Sequence, residues 1–268
     1  MVPVIFIHGI AADFAPWTPA ILKMKGEAPH YEMRYQTKEK IFHNFDGAIS
    51  EDMPSFWNVS YYLDRPLQES FFGHLEEYAV RLQGMIRLIQ KLTGQPKVVL
   101  VAHSMGGLVA RRAMTLDQET WDSVHTVVTV GTPHGGVVVS PKLIPQFRDL
   151  QPKSEFLSVL NREWERYASS DSVKKWGVVG AVSRLSPLRG GLKTDAAGPG
   201  FVAIASSIPF GEWEEAMATL DIPALNTSHF GFRVATRAGH NELLAHLATY
   251  EAIRWAMGGG SHISLSLL

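Results

Sequence analysis

Apolar runs that do not alternate with polar residues recur along the chain, separated by stretches with apolar positions every three or four residues. Residues 2–7 (VPVIFI), 56–62 (FWNVSYY), 97–102 (KVVLVA), 124–130 (VHTVVTV), 201–205 (FVAIA) and 232–236 (FRVAT) predict strands. An apolar run without alternation, such as VVLVA, fits a strand covered on both faces, as in a parallel sheet. Residues 31–36 predict a further, more polar extended segment. Residues 75–92 carry apolar side chains at 75, 78, 79, 82, 85, 86, 89 and 92, which predicts an amphipathic helix ended by Gly94 and Pro96. Residues 107–116 and 241–257 predict two more helices. Strands alternating with helices predict an α/β fold of about six mostly parallel strands flanked by helices.

Residues 137–199 interrupt the pattern. Three prolines in VSPKLIPQFRDLQPK precede amphipathic helical signals and a Gly/Pro-rich return, SPLRGGLKTDAAGPG. An insertion of this length predicts a helical cap or lid over the carboxyl edge of the sheet. The core domain would then comprise residues 1–136 and 200–268.

One connection carries chemistry. VVLVAHSMGGLVARRAM passes from a β-branched run to helix formers with Ser104 at the bend. Such a turn pushes a hydroxyl beyond the sheet edge and presents the next N–H at the positive end of a helix. Small residues are needed two positions either side of the serine, and Ala102 and Gly106 stand there. A serine hydroxyl needs a base within hydrogen-bond reach and donors aimed at the developing oxyanion. The donors expected are the backbone N–H groups of Met105 and of Ile10, the latter in the loop FIHGIAADFAPW after the first strand. His8 is expected to pin that loop, and His103 to pack behind the serine.

HGI after the first strand, VAHSMGGLVAR and VGTPHGG together resemble the bacterial lipase/esterase branch of the α/β-hydrolase superfamily. The resemblance implies a compact, roughly six-stranded version of that fold. It also implies a serine, acid and histidine in that order along the chain. His240, after the last strand and before the final helix, would be the base; His134, His229, His246 and His262 are the rival histidines. The acid would follow the strand FVAIAS. Asp221, opening DIPALNTSH, is favoured, with Glu212 next and Glu214 and Glu215 behind. Asp195 precedes that strand and falls at the wrong edge on this reading. Ester hydrolysis through an acyl-enzyme is the implied reaction, with no cofactor and no metal.

Composition narrows the partners. Formal net charge is −1 with 46% hydrophobic and 19% charged residues, so no basic field is available to hold nucleic acid. Cysteine is absent, which excludes disulfides and thiolate metal sites. No apolar run reaches the roughly 18 residues that cross a bilayer, and the N-terminal segment lacks a basic region and a cleavage site. The expectation is a cytoplasmic protein, or a secreted one if a leader precedes this numbering. The expected partner is a small-molecule or lipid ester, with transient contact at a lipid–water interface. Phe14, Trp17 and Trp176 are candidates to line an acyl trough. Thioesters, amides, polyesters or a non-catalytic ligand-binding role are the alternatives.

Overall fold

The computed structural model describes residues 1–47, 49, 52–63, 68–69, 72–137, 144–170, 175–181, 230–258 and 263–264. Among these residues one sheet runs through the molecule. Its strands are β1 (Val4–Ile7), β2 (His30–Tyr35), β3 (Ile41–His43), β4 (Phe56–Ser60), β5 (Val98–His103), β6 (Val124–Val130), β7 (Lys175–Ala181), β8 (Phe230–Thr236) and β9 (Ile263–Ser264). They lie in the order β3-β2-β4-β1-β5-β6-β7-β8-β9. All neighbours are parallel except β2 and β3.

Every residue of β1 and β5 is buried. The period of two divides their side chains between two cores. Ile5, Ile7, Leu100 and Ala102 enter one cluster, and Val4, Phe6, Val99 and Val101 the other. Helices α2 (Leu75–Thr93), α3 (Met105–Met114), α4 (Gln118–Ser123) and α6 (Glu155–Ser170) close the first face. Helices α1 (Thr18–Lys25) and α7 (Leu247–Ala256) close the second. The first backbone N–H of α2 donates at 3.2 Å to the Asp149 carboxylate, at the end of α5 (Pro145–Asp149), so this helix is capped from a distant segment. No helix among the described residues is long and apolar enough to cross a membrane.

The sheet is wider than the six strands expected. β2 and β3, built after β1 in the chain, extend one edge, and β9 extends the other. Within the expected cap, 137–199, the described residues 144–170 and 175–181 belong to the sheet and its crossover, while the return 182–199 lies outside the described residues. Lys175–Ala181 is an inner strand of the sheet, paired to β6 and β8. Helix α6 turns Phe156, Leu157, Leu160, Trp164, Tyr167 and Ala168 into the sheet-packed cluster, as a crossover between β6 and β7 does. The sequence WGVVGA concealed this strand because two glycines interrupt it. Gly177 lets the Trp255 ring on α7 pack close: a Cβ there would lie 3.0 Å from it. Residues 241–257 also divide, into a 3₁₀ turn (Glu242–Ala245) and α7. The strand expected at 201–205 lies outside the described residues.

The position of β7 bears on the acid and on Trp176. Asp195 and Asp221 both follow β7 in the chain, and both lie outside the described residues. Trp176 changes role. It is 1% exposed, packs T-shaped at 4.8 Å against Trp164, and donates its indole N–H to Thr129 Oγ1 at 3.1 Å. It is a core residue and not a trough wall. Trp176→Ala should therefore cost about 3–5 kcal/mol of stability, read as a lowered urea midpoint. A loss under about 1 kcal/mol, on the scale of surface substitutions, would contradict this placement.

Candidate active site

The parallel strands β1, β5, β6, β7 and β8 bring their carboxyl ends to one edge, where the loops carrying Ile10, Ser104, His134 and His240 begin. Ser104 occupies the single residue between β5 and α3, with φ +54° and ψ −132°. A side chain in that region costs on the order of 1–3 kcal/mol and persists only where its surroundings hold it. Its N–H donates to the Val130 carbonyl at 2.8 Å, and its carbonyl accepts from Gly107 N–H at 3.0 Å. Gly106 is demanded by close approach, since a Cβ there would overlap the His8 carbonyl oxygen. Ala102 is fully buried and accommodated at the other small-residue position.

His240 follows β8 and reaches Ser104 across 136 residues of chain, with Nε2 2.9 Å from Oγ. That separation lets the hydroxyl donate to an unprotonated Nε2. The loop bearing His240 is fixed from two sides. Gly239 N–H donates to Glu242 Oε2 at 2.7 Å, and His103 Nε2–H donates to the His240 carbonyl at 3.2 Å. His103, adjacent to the nucleophile in sequence, thus holds the backbone of the histidine that contacts it.

Met105 is the first residue of α3, where an N–H has no partner within its own helix. The loop after β1 meets the serine at Gly9: a Cβ there would sit 2.9 Å from Ser104 Cβ. The Gly9 carbonyl is held by the side chain before it. His8 Nδ1–H donates to it at 2.7 Å, while His8 Nε2 accepts from Ser60 Oγ at 3.2 Å. Because the peptide is trans, the Ile10 N–H points opposite to that carbonyl. Ile10 itself is partly buried against the core.

The other sequence-derived candidates separate clearly. Trp17 is fully buried, with its indole N–H on the Ile7 carbonyl at 2.9 Å, so it packs beneath the site and does not line it. Phe14 stays half-buried on the loop between β1 and α1. His134 lies in a closed network, with Nδ1 accepting from Arg111 at 3.2 Å and Nε2 bonded to Thr129 Oγ1 at 3.0 Å. His246 caps α7 through Nδ1, which accepts from Ala248 N–H at 3.2 Å. Asp195, Glu212, Glu214, Glu215, Asp221, His229 and His262 lie outside the described residues. Sequence reasoning missed Tyr61, Tyr62 and Gln146, which surround the Gly9 loop; their only signal was the pair of tyrosines ending FWNVSYY. Among the described residues no group of three or more His, Asp or Glu side chains is arranged to hold a metal.

Burial sorts the histidines. Desolvation lowers His8 to about 4 and His103 to about 3, and drives His134 well below its ordinary value. Burial also lowers Arg111 to about 9; its guanidinium lies over Trp164 at 4.7 Å and Trp176 at 5.0 Å. The three histidines stay neutral when folded and titrate near 6.5 when unfolded. Below pH 6.5 the unfolded chain takes up protons that the native chain does not, so stability falls as pH drops from about 6.5 towards 4. His8 alone contributes about 3 kcal/mol over that window. Urea midpoints measured from pH 8 to 4.5 should be level down to about 6.5 and decline below it. A curve level to pH 5 would contradict the burial of neutral imidazoles.

The sheet order, its crossover helices and the serine on a strained strand-to-helix turn define an α/β-hydrolase fold. The product of the gene lin2722 of Listeria innocua has this architecture at a TM-score of 0.64 and 14% identity, with 97% of this chain and 95% of that one covered. Bacillus licheniformis lipase BlEst2 in mature form superimposes with a TM-score of 0.51 and 13% identity, over 96% of this chain and 91% of that one. Within that class the chain belongs to the PGAP1-like alpha/beta domain family, whose profile matches residues 1–191. Curated relatives are GPI inositol-deacylases. Those of Coccidioides immitis and Aspergillus oryzae are 29% and 31% identical over 146 and 150 residues, each covering 52% of this chain. The matched stretch is 12% and 13% of those relatives' own length.

Proposed function

We propose that the protein is a serine carboxylic-ester hydrolase of the lipase/esterase type, with Ser104 as nucleophile and His240 as general base. The observation that carries the reading is the 2.9 Å contact between Ser104 Oγ and His240 Nε2, at a serine held with φ +54°. As Oγ attacks an ester carbonyl carbon, its proton passes to Nε2, and the carbonyl oxygen takes the negative charge. The N–H groups of Ile10 and Met105 receive that charge. Collapse expels the alcohol, which takes the proton from His240, and leaves an acyl group on Oγ. Water, deprotonated by the same imidazole, then releases the carboxylic acid and restores the serine. Asp221 is the carboxylate assigned to orient His240 and stabilise its cation; Asp195 and Glu212 are its competitors.

The names of the curated relatives favour a narrower substrate within this reaction, an acyl ester carried on an inositol hydroxyl. Chemically that is an ordinary O-acyl ester on a bulky polyol, and it asks nothing of the serine–histidine pair beyond the steps above.

A chromogenic short-chain ester tests the reaction. Wild type should hydrolyse it, and Ser104→Ala should reduce kcat by about 10³-fold or more; equal, background-level rates in both would overturn the reading. Among Asp195→Asn, Glu212→Gln and Asp221→Asn, the last should lose about 10²–10⁴-fold in kcat while folding normally. A loss confined to either of the others moves the acid there.

A further inference from the structure

The loop after β1 holds a residue whose conformation nothing inside the loop accounts for. Ala11 has φ +52°, in the left-handed region that an alanine enters only at a cost of roughly 1–2 kcal/mol. It is exposed, so packing does not hold it there. What does reach it is a hydrogen bond: Ala11 N–H donates to the Tyr62 hydroxyl at 3.3 Å. Tyr62 is 1% exposed and sits just beyond the carboxyl end of β4, beside β1 in the sheet.

The hydroxyl is itself fixed. It donates at 3.4 Å to Oε1 of Gln146, a wholly buried residue in the first turn of α5. Gln146 Nε2 donates to the Tyr78 hydroxyl at 2.8 Å and to the Glu69 carbonyl at 2.6 Å, so the amide cannot rotate without losing both. Tyr61, the preceding residue, donates to the His8 carbonyl at 3.0 Å and stacks on the His8 ring at 4.1 Å. Two consecutive tyrosines therefore grip the loop at both ends. Tyr61 holds the His8–Gly9 peptide, the His8 ring holds the Gly9–Ile10 peptide through the Gly9 carbonyl, and Tyr62 holds the Ile10–Ala11 peptide.

We propose that Tyr62, backed by Gln146, is a positioning residue for the oxyanion site: it holds Ala11 in the left-handed conformation and so keeps the Ile10 N–H aimed beside Ser104. The proposal rests on the esterase reading of that site. Without the hydroxyl, Ala11 relaxes to a negative φ and the Ile10–Ala11 peptide turns, so Ile10 loses the anchor on its far side and its N–H, in the peptide before, is held from the His8 side alone. The charge on the tetrahedral intermediate then loses part of one donor, while the ground-state ester, which carries little charge on its carbonyl oxygen, binds as before.

Tyr62→Phe keeps the ring and removes the acceptor. We expect kcat for a short-chain ester to fall by about 10–100-fold, below the 10²–10³ typical of deleting a donor outright, with KM changing less than about threefold. Affinity for an alkylboronic acid, which forms a tetrahedral adduct on a serine hydroxyl, should fall by the same factor as kcat. Gln146→Leu should move both in the same direction by less. Backbone amide exchange supplies a readout independent of turnover: Ala11 should exchange at least about tenfold faster in Tyr62→Phe, with Leu100 on β5 unchanged. Unaltered Ala11 exchange, or faster exchange with wild-type kcat and boronate affinity, would overturn the proposal. Absence of Ser104-dependent turnover in the wild type would instead remove the esterase reading, and Ala11 exchange would still decide whether Tyr62 holds the loop.

Discussion

The structure depends on holding one serine in a backbone conformation it does not prefer. Ser104 stands at φ +54° because β5 delivers it from a fully buried strand and α3 begins at the next residue. The cost of that turn is met by packing on every side. β5 contributes to both cores, Val130 accepts the serine N–H, and the glycine at 106 lets α3 approach the end of β1. With the serine so placed, its hydroxyl projects past the sheet edge and meets an imidazole from the far end of the chain.

Around that contact, burial divides the histidines by role. His8, His103 and His134 are dehydrated and neutral, so each acts as a fixed strut with one donor and one acceptor. His8 fixes the loop after β1, His103 the backbone of His240, and His134 the join between α3 and β6. His240 is only half-buried and is the one that touches the serine. In the proposed reaction this imidazole is the one that carries the proton, and the three buried imidazoles are the ones that hold its surroundings.

Much of this was legible in the residues. Apolar runs without alternation marked β1, β5, β6 and β8, because strands covered on both faces have no polar side to display. The small residues around Ser104 marked the turn. The order of serine and histidine came from the family resemblance, and the two side chains do meet. The strand Lys175–Ala181 was not legible, because two glycines interrupt it, and one of them, Gly177, faces a tryptophan packed from α7, a contact no local pattern encodes. The same missing strand made residues 137–199 read as one insertion. The grip of Tyr61 and Tyr62 on the Gly9 loop was invisible for a related reason. It joins residues some fifty positions apart, and tyrosine at a strand end has no distinctive spacing.

The central claim is that Ser104 is nucleophilic because His240 removes its proton. Intact-mass measurement after exposure to a fluorophosphonate tests this without a choice of ester. The account predicts one adduct per chain, mapped to the peptide containing Ser104 and absent in Ser104→Ala. In His240→Ala, labelling should slow by at least about 10²-fold, the lower end of what a general base supplies. An unlabelled wild type, an adduct on another residue, or labelling of His240→Ala at the wild-type rate would contradict it.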